Sequence, residues 1–132
     1  MQIESHLENL RESIEEIEEA VQKGLAARQR SLGFHASAAA VDMVEIMLHQ
    51  RNLISPGAVV KHEWFKSQKK VAEKFSLDFP SKPEILALVM AIELVRNQLC
   101  YGKKQEEKVL EQVVHNFLTL KSLFVKVSGY EL

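Results

Sequence analysis

Apolar residues recur along this chain at alternating intervals of three and four, the spacing of helices with one buried face. Ile3, Leu7, Leu10, Ile14, Ile17 and Val21 form the first such seam, with glutamates on its flanks. They predict a long acidic amphipathic helix over residues 1–23. A seam shorter than four heptads fits one helix of a bundle better than a free coiled coil. Gly24 separates it from a second helix, about Leu25 to Asn52. Its middle, Ala36-Ser37-Ala38-Ala39-Ala40, is small enough for another helix to approach closely. Leu32, Ala36, Ala40, Met43, Val44, Met47 and Leu48 cover one broad arc. Opposite them runs a polar stripe of Arg28, His35, Asp42 and His49, with Glu45 beside it.

Ser55-Pro56-Gly57 is turn chemistry. A third helix is predicted from about Ala58 to Phe75, carrying Val60, Trp64, Val71 and Phe75. The stretch Asp78 to Pro83 is the longest break. Ser81 before Pro83-Glu84 suits a helix start, with proline in the first turn and an acid at the positive end. The fourth helix, about Pro83 to Tyr101, is apolar almost all round, so it is expected at the centre of the fold or at a subunit interface. Gly102 ends it. A fifth, about Gln105 to Val127, bears a wide stripe from Val109 to Phe124, and Ser128-Gly129 closes it. No segment alternates like a strand. The fold class read from this pattern is all-α, an up-and-down bundle of four to five helices in a single domain over residues 1–132.

Composition narrows the picture further. Among 132 residues, Lys plus Arg number 17 and Asp plus Glu 18, so the formal net charge of −1 argues against a broadly basic nucleic-acid binder. The charge is unevenly placed. Residues 1–19 hold seven acids and one base, a net of −6, and the rest hold sixteen bases and eleven acids, a net of +5. The acidic segment reads as a solvated helix face. The lone Cys100 excludes an internal disulfide framework and reads as a buried, inert thiol. No apolar run reaches the ~18 residues of a membrane span and no signal peptide opens the chain. A cytoplasmic chain without membrane attachment is the simplest expectation.

Arg96 is the residue most open to a chemical role. Counted at about 100° per residue from Ile85, it falls at about 20°, along the middle of the apolar stripe of Ile85, Leu88, Val89, Ile92 and Leu99. A guanidinium in that position needs a carboxylate, a snorkelling route or a wet cleft, since it cannot shed its proton. Facing a cleft, it would meet phosphate. Asn97, Tyr101, Lys103 and Lys104 follow along the chain, although lysines at a helix C-terminus are favourable against the dipole alone. The stripe with His35, Asp42, Glu45 and His49 reads first as a solvated face, then as the rim of a nucleic-acid or active cleft, and last as metal ligands. It lacks the Glu-x-x-His spacing and extra carboxylates of metal-bearing bundles. His62-Glu63 lacks the second histidine of a zinc-protease helix. No cofactor and no metal ion is expected.

The run Phe34-His35-Ala36-Ser37-Ala38-Ala39-Ala40, the segment beginning Lys61-His62, and the helix end Arg96-Asn97-Gln98-Leu99-Cys100-Tyr101-Gly102 together resemble the HEPN superfamily of small all-helical domains. The resemblance spans about residues 20 to 127. It implies a helical bundle, a symmetric homodimer, and metal-independent RNA cleavage at the dimer cleft. It also implies pairing with a nucleotidyltransferase-type partner protein in a toxin–antitoxin or defence system. Catalytic members carry an arginine, a polar residue, and then a histidine after four to six residues in all. Arg96 and Asn97 match this pattern. Tyr101 and Lys103 stand where the histidine would be, so Arg96 and Tyr101 are the catalytic candidates. Arg96, Asn97, Lys103, Lys104 and His35 are the candidates for binding RNA or nucleotide. If the chain is an enzyme, it is then a metal-independent endoribonuclease. The alternative is a non-enzymatic, dimeric interaction or regulatory module on the same bundle.

Overall fold

The computed structural model describes residues 3–132, so Met1 and Gln2 of the expected first helix and domain lie outside the described residues. Five α-helices account for the architecture, and no strand occurs among the described residues: α1 Ile3–Lys23, α2 Gln29–Gln50, α3 Gln68–Lys74, α4 Lys82–Tyr101 and α5 Glu107–Ser128. The all-α bundle follows directly from the apolar periodicity. In α1 the seam residues Leu7, Leu10, Ile14 and Ile17 are buried with Ser13 and Ala20, while most of the glutamates face solvent. Val21 departs from the predicted seam and is 52% exposed.

The helix at the centre is α2, not the more apolar α4. It packs against α1, α4 and α5 at once. Ala36, Ala39, Ala40, Met43, Val44, Ile46 and Met47 are fully enclosed. Small side chains let three helices converge on one axis, and bulkier apolar residues cannot do this without separating them. By length and hydropathy α2 would also pass for a membrane-crossing helix, yet 72% of its most apolar window is buried among the other helices. α4 instead keeps one side outward, with Leu94 58% exposed.

At Gly33 α2 passes close against α4. A Cβ there would lie 2.6 Å from the Leu99 Cβ and 3.3 Å from the Cys100 Sγ. Alanine favours a helix over glycine by ~1 kcal/mol, but the Leu99 Cβ is fixed by its backbone and has nowhere to go. We expect Gly33→Ala to lower stability by ~1–2 kcal/mol once strain outweighs propensity. It should show as a lower urea midpoint at unchanged slope. Stability at or above wild type would show that α4 can yield.

The predicted third helix is broken. His62–Phe65 forms a single 3-10 turn, and α3 begins only after Ser67, whose hydroxyl accepts the Lys70 N–H at 3.1 Å. Upstream, the Val60 N–H is taken by the Glu45 carboxylate at 2.6 Å, and Lys61 is extended. Two competing partners, a side-chain cap and a buried acceptor, thus divert backbone that apolar spacing alone would make helical. Ser81 does stand at the start of α4, with Pro83 and Glu84 in the first turn. It adopts a left-handed conformation, φ 59°, and its hydroxyl caps nothing. Gly129 closes α5 at φ 81°, where glycine carries no Cβ penalty.

Polar side chains tie the ends of the bundle. Gln29, 3% exposed, donates to the Leu99 and Lys103 carbonyls and accepts the Gln105 N–H at 2.8 Å. At the other end, Gln50 donates to the Ser128 carbonyl at 2.7 Å and Arg51 to that of Val127 at 3.1 Å. The Leu99, Val127 and Ser128 carbonyls among them lie in last helical turns and have no partner within their own helix, while Lys103 and Gln105 belong to the loop between α4 and α5.

Candidate functional site

The 3-10 turn lies against α4, and between them opens a cleft of about 340 Å³. α4 contributes Glu93, Leu94, Arg96 and Asn97, and the turn segment contributes Lys61, His62, Glu63 and Lys66. Arg96 is half-buried. Its Nε is fully buried without a hydrogen-bond partner, and its guanidinium forms no ion pair within 4.0 Å among the described residues. Of the sequence-level options for this arginine, the carboxylate pair is therefore not the one adopted. Glu93, three residues earlier on the same helix, is directed elsewhere.

Glu93 Oε1 accepts the Ser37 hydroxyl at 2.6 Å and lies 2.9 Å from His62 Nδ1. Ser37 Oγ is itself 3.2 Å from the same ring nitrogen. The Glu93 side chain is 5% exposed and the His62 side chain 47%. The central helix, α4 and the 3-10 turn thus meet at one carboxylate, which fixes the histidine ring by a single nitrogen. Lys61, Lys66 and Arg96 bring three positive charges to the cleft, against Glu63 and the already occupied Glu93. Helical spacing reveals part of this, since Glu93 and Arg96 share a face at i, i+3. Nothing in the sequence pattern brings His62, Lys61 or Lys66 there, because they reach the cleft through irregular backbone.

The other expected site residues fall elsewhere. Asn97 lines the same cleft as Arg96, but Tyr101, Lys103, Lys104 and His35 do not. Tyr101 is 70% exposed, with the Arg30 guanidinium 5.7 Å from its ring centre. The Lys104 ammonium donates to the Ala26 carbonyl at 2.8 Å and closes the loop between α1 and α2. Lys103 contributes its carbonyl to Gln29. His35 pairs with the Ser13 hydroxyl at 3.3 Å, in a separate shallow depression between α1 and α2. Cys100 is buried near the Arg30 carbonyl. Burial pushes its thiol pKa up, with Arg96 and Arg30 pulling the other way, as suits a packing residue.

Arg28 is exposed just before α2, but from His35 to His49 the polar stripe is not a solvated face. α1 covers it and inserts His6 between two carboxylates. His6 Nδ1 is 3.0 Å from Asp42, and Nε2 lies against Glu45 Oε2. His49 stacks beside the His6 ring, with centroids 6.4 Å apart. Burial raises the Asp42 pKa above its ordinary value, opposed by the hydrogen bond and charge of His6. Among the described residues no three His, Cys, Asp or Glu side chains are grouped to hold a metal ion. The cluster also reaches the cleft, since Glu45 holds the Val60 N–H two residues before His62.

Comparison of the chain with protein-family models, with curated proteins and with solved structures gives no match. The functional reading therefore rests on the residues themselves.

Proposed function

We propose that this protein binds RNA or nucleotide phosphate at the Arg96 cleft. The observation that carries the reading is the Arg96 guanidinium, half-buried without a carboxylate partner and flanked by Lys61 and Lys66. A charge so placed is costly unless something negative meets it, and a phosphate oxygen accepts from guanidinium in its preferred planar geometry. Asn97 adds a neutral donor and acceptor at the rim. The HEPN-like ancestry, the proposed nucleotidyltransferase partner and the toxin–antitoxin setting all rest on the sequence resemblance alone. The test is a fluorescence-anisotropy titration of a short single-stranded RNA, repeated across salt concentrations. Saturable binding that weakens linearly on a log–log salt plot supports the reading. No binding at low salt removes it.

The homodimer belongs to the same proposal. Ala87, Leu88, Ala91, Leu94 and Val95 leave a partly exposed apolar stripe along the outer side of α4, and Leu94 also borders the Arg96 cleft. An isologous contact on that stripe would set two clefts side by side. Sedimentation equilibrium at about tens of micromolar should give twice the chain mass, and Leu94→Glu should return it to the monomer. A wild-type monomer under those conditions overturns the dimer. The same stripe favours the second reading, a non-enzymatic interaction module, if the dimer forms but RNA does not bind.

A further inference from the structure

We infer that the open groove between α1 and α5 is a docking site for an amphipathic helix of a partner protein, one with a basic flank. α1 and α5 both pack on α2 but scarcely touch each other, and an opening of about 510 Å³ runs between them. Buried Ile14, Ile17 and Phe117 form its floor, with Val114 partly covered. Val21 and Leu118 stand on opposite walls, each 52% exposed. Both belong to apolar rows, the α1 seam and the α5 stripe, whose helical spacing predicts burial. They are two of the six large apolar side chains left exposed among the described residues, and they share this one groove. The apolar rows thus extend past what the bundle itself covers, over about two turns of each helix. No residue of the groove lines the Arg96 cleft, so the inference stands apart from the phosphate-binding reading.

Charge decides what the groove accepts. Glu18 lines it, and Glu15 and Glu19 stand within one turn of it on the outer side of α1, all three exposed. None of them forms an ion pair within 4.0 Å among the described residues. Arg11, one turn before Glu15, is engaged elsewhere and donates to the Glu131 carbonyl at 3.3 Å. Lys121 is the one base that lines the opposite wall. Glu15 stands i, i+3 from Glu18 and i, i+4 from Glu19, spacings at which like charges destabilise a helix. Cations laid against this wall relieve that repulsion. An acidic wall repels phosphates and anionic lipid headgroups, so the groove disfavours both nucleic acid and an anionic membrane. It fits a helix that buries residues at i, i+3 or i+4, and i+7 between Val21 and Leu118. Lys or Arg on the flank of that helix then meets Glu15, Glu18 and Glu19.

The experiment titrates the whole protein into a panel of labelled amphipathic helical peptides, read by fluorescence anisotropy. The peptides carry leucine, isoleucine, valine or phenylalanine at the anchor positions and lysines along one flank. A matched panel carries glutamates in place of the lysines. Basic peptides should bind saturably, below about 100 μM, and more weakly as salt rises. Their acidic counterparts should bind at least about tenfold more weakly. Val21→Gln and Leu118→Gln, on opposite walls, should each weaken the best basic peptide at least about fivefold. Both positions are half-exposed, and melting curves establish that the variants are folded. No binding by any basic peptide overturns the inference, and so does equal binding by the acidic panel. Affinity unchanged in either glutamine variant places the contact elsewhere and also overturns it. Self-association of wild type that Leu118→Gln abolishes and Leu94→Glu leaves intact would give the groove to a second copy of this chain, against the inference.

Discussion

Replacing Arg96 with alanine should weaken RNA binding by about 10- to 100-fold while leaving the fold intact. A charge-assisted hydrogen bond to a charged partner is worth ~1.5–3 kcal/mol, and ~1.4 kcal/mol is a factor of ten. The salt dependence should shrink as well, by about one unit of log–log slope for one lost phosphate contact. Stability is expected to stay within ~1 kcal/mol of wild type. The reason is local: the guanidinium has no ion pair among the described residues, and its Nε is buried without a partner. Its loss therefore strands no carboxylate, because Glu93 is already held by Ser37 and His62. Only the packing of the aliphatic stem is given up. Thermal melts and an anisotropy titration on this one variant decide the matter. A large fall in melting temperature with unchanged RNA affinity would make Arg96 a structural residue and leave the interaction-module reading in place.

The largest effect on stability is expected at Glu45, which touches no ligand. It is 3% exposed, accepts the Val60 N–H at 2.6 Å and meets His6 with its other oxygen. Glu45→Ala leaves a buried backbone donor unpaired and removes one of the two carboxylates around His6. Leaving a buried donor unsatisfied costs ~1–3 kcal/mol, and the contact with His6 is lost as well. Glu45→Gln should fall between alanine and wild type, since its amide oxygen can still accept from Val60 while its amide nitrogen faces His6. RNA affinity should drop in both variants, because the released segment carries Lys61 and His62 into the cleft. Urea unfolding measures the first effect, and hydrogen exchange at the Val60 amide locates it. Glu45→Ala within 1 kcal/mol of wild type would mean that the chain between α2 and the 3-10 turn is held by other contacts.

The two residues show where sequence reasoning stops. Arg96 could be singled out from the wheel of α4 because helix geometry is local: i, i+3 and i+4 relations follow from the backbone alone. For the same reason the sequence by itself determined four long helices, the glycine-terminated ends and the all-α class. It left α4 either at the centre or at a subunit interface, and the structure gives the centre to α2, although the apolar character of α4 is the greater. Rank within a core depends on side-chain size as well as hydrophobicity, and small residues are what let α2 touch three neighbours. Asp42, Glu45 and His49 looked like a solvated stripe because nothing in α2 announces that His6 of α1 will cover it. His62 and Lys66 could not be joined to Arg96 at all. Their positions depend on the Glu45 bond to Val60 and on the Ser67 cap, two side-chain-to-backbone contacts that override helical periodicity between residues 58 and 68. Local periodicity thus decided which stretches are helices. Tertiary packing alone decided which polar groups share a buried carboxylate, and hence where the cleft lies, because such contacts join residues dozens of positions apart.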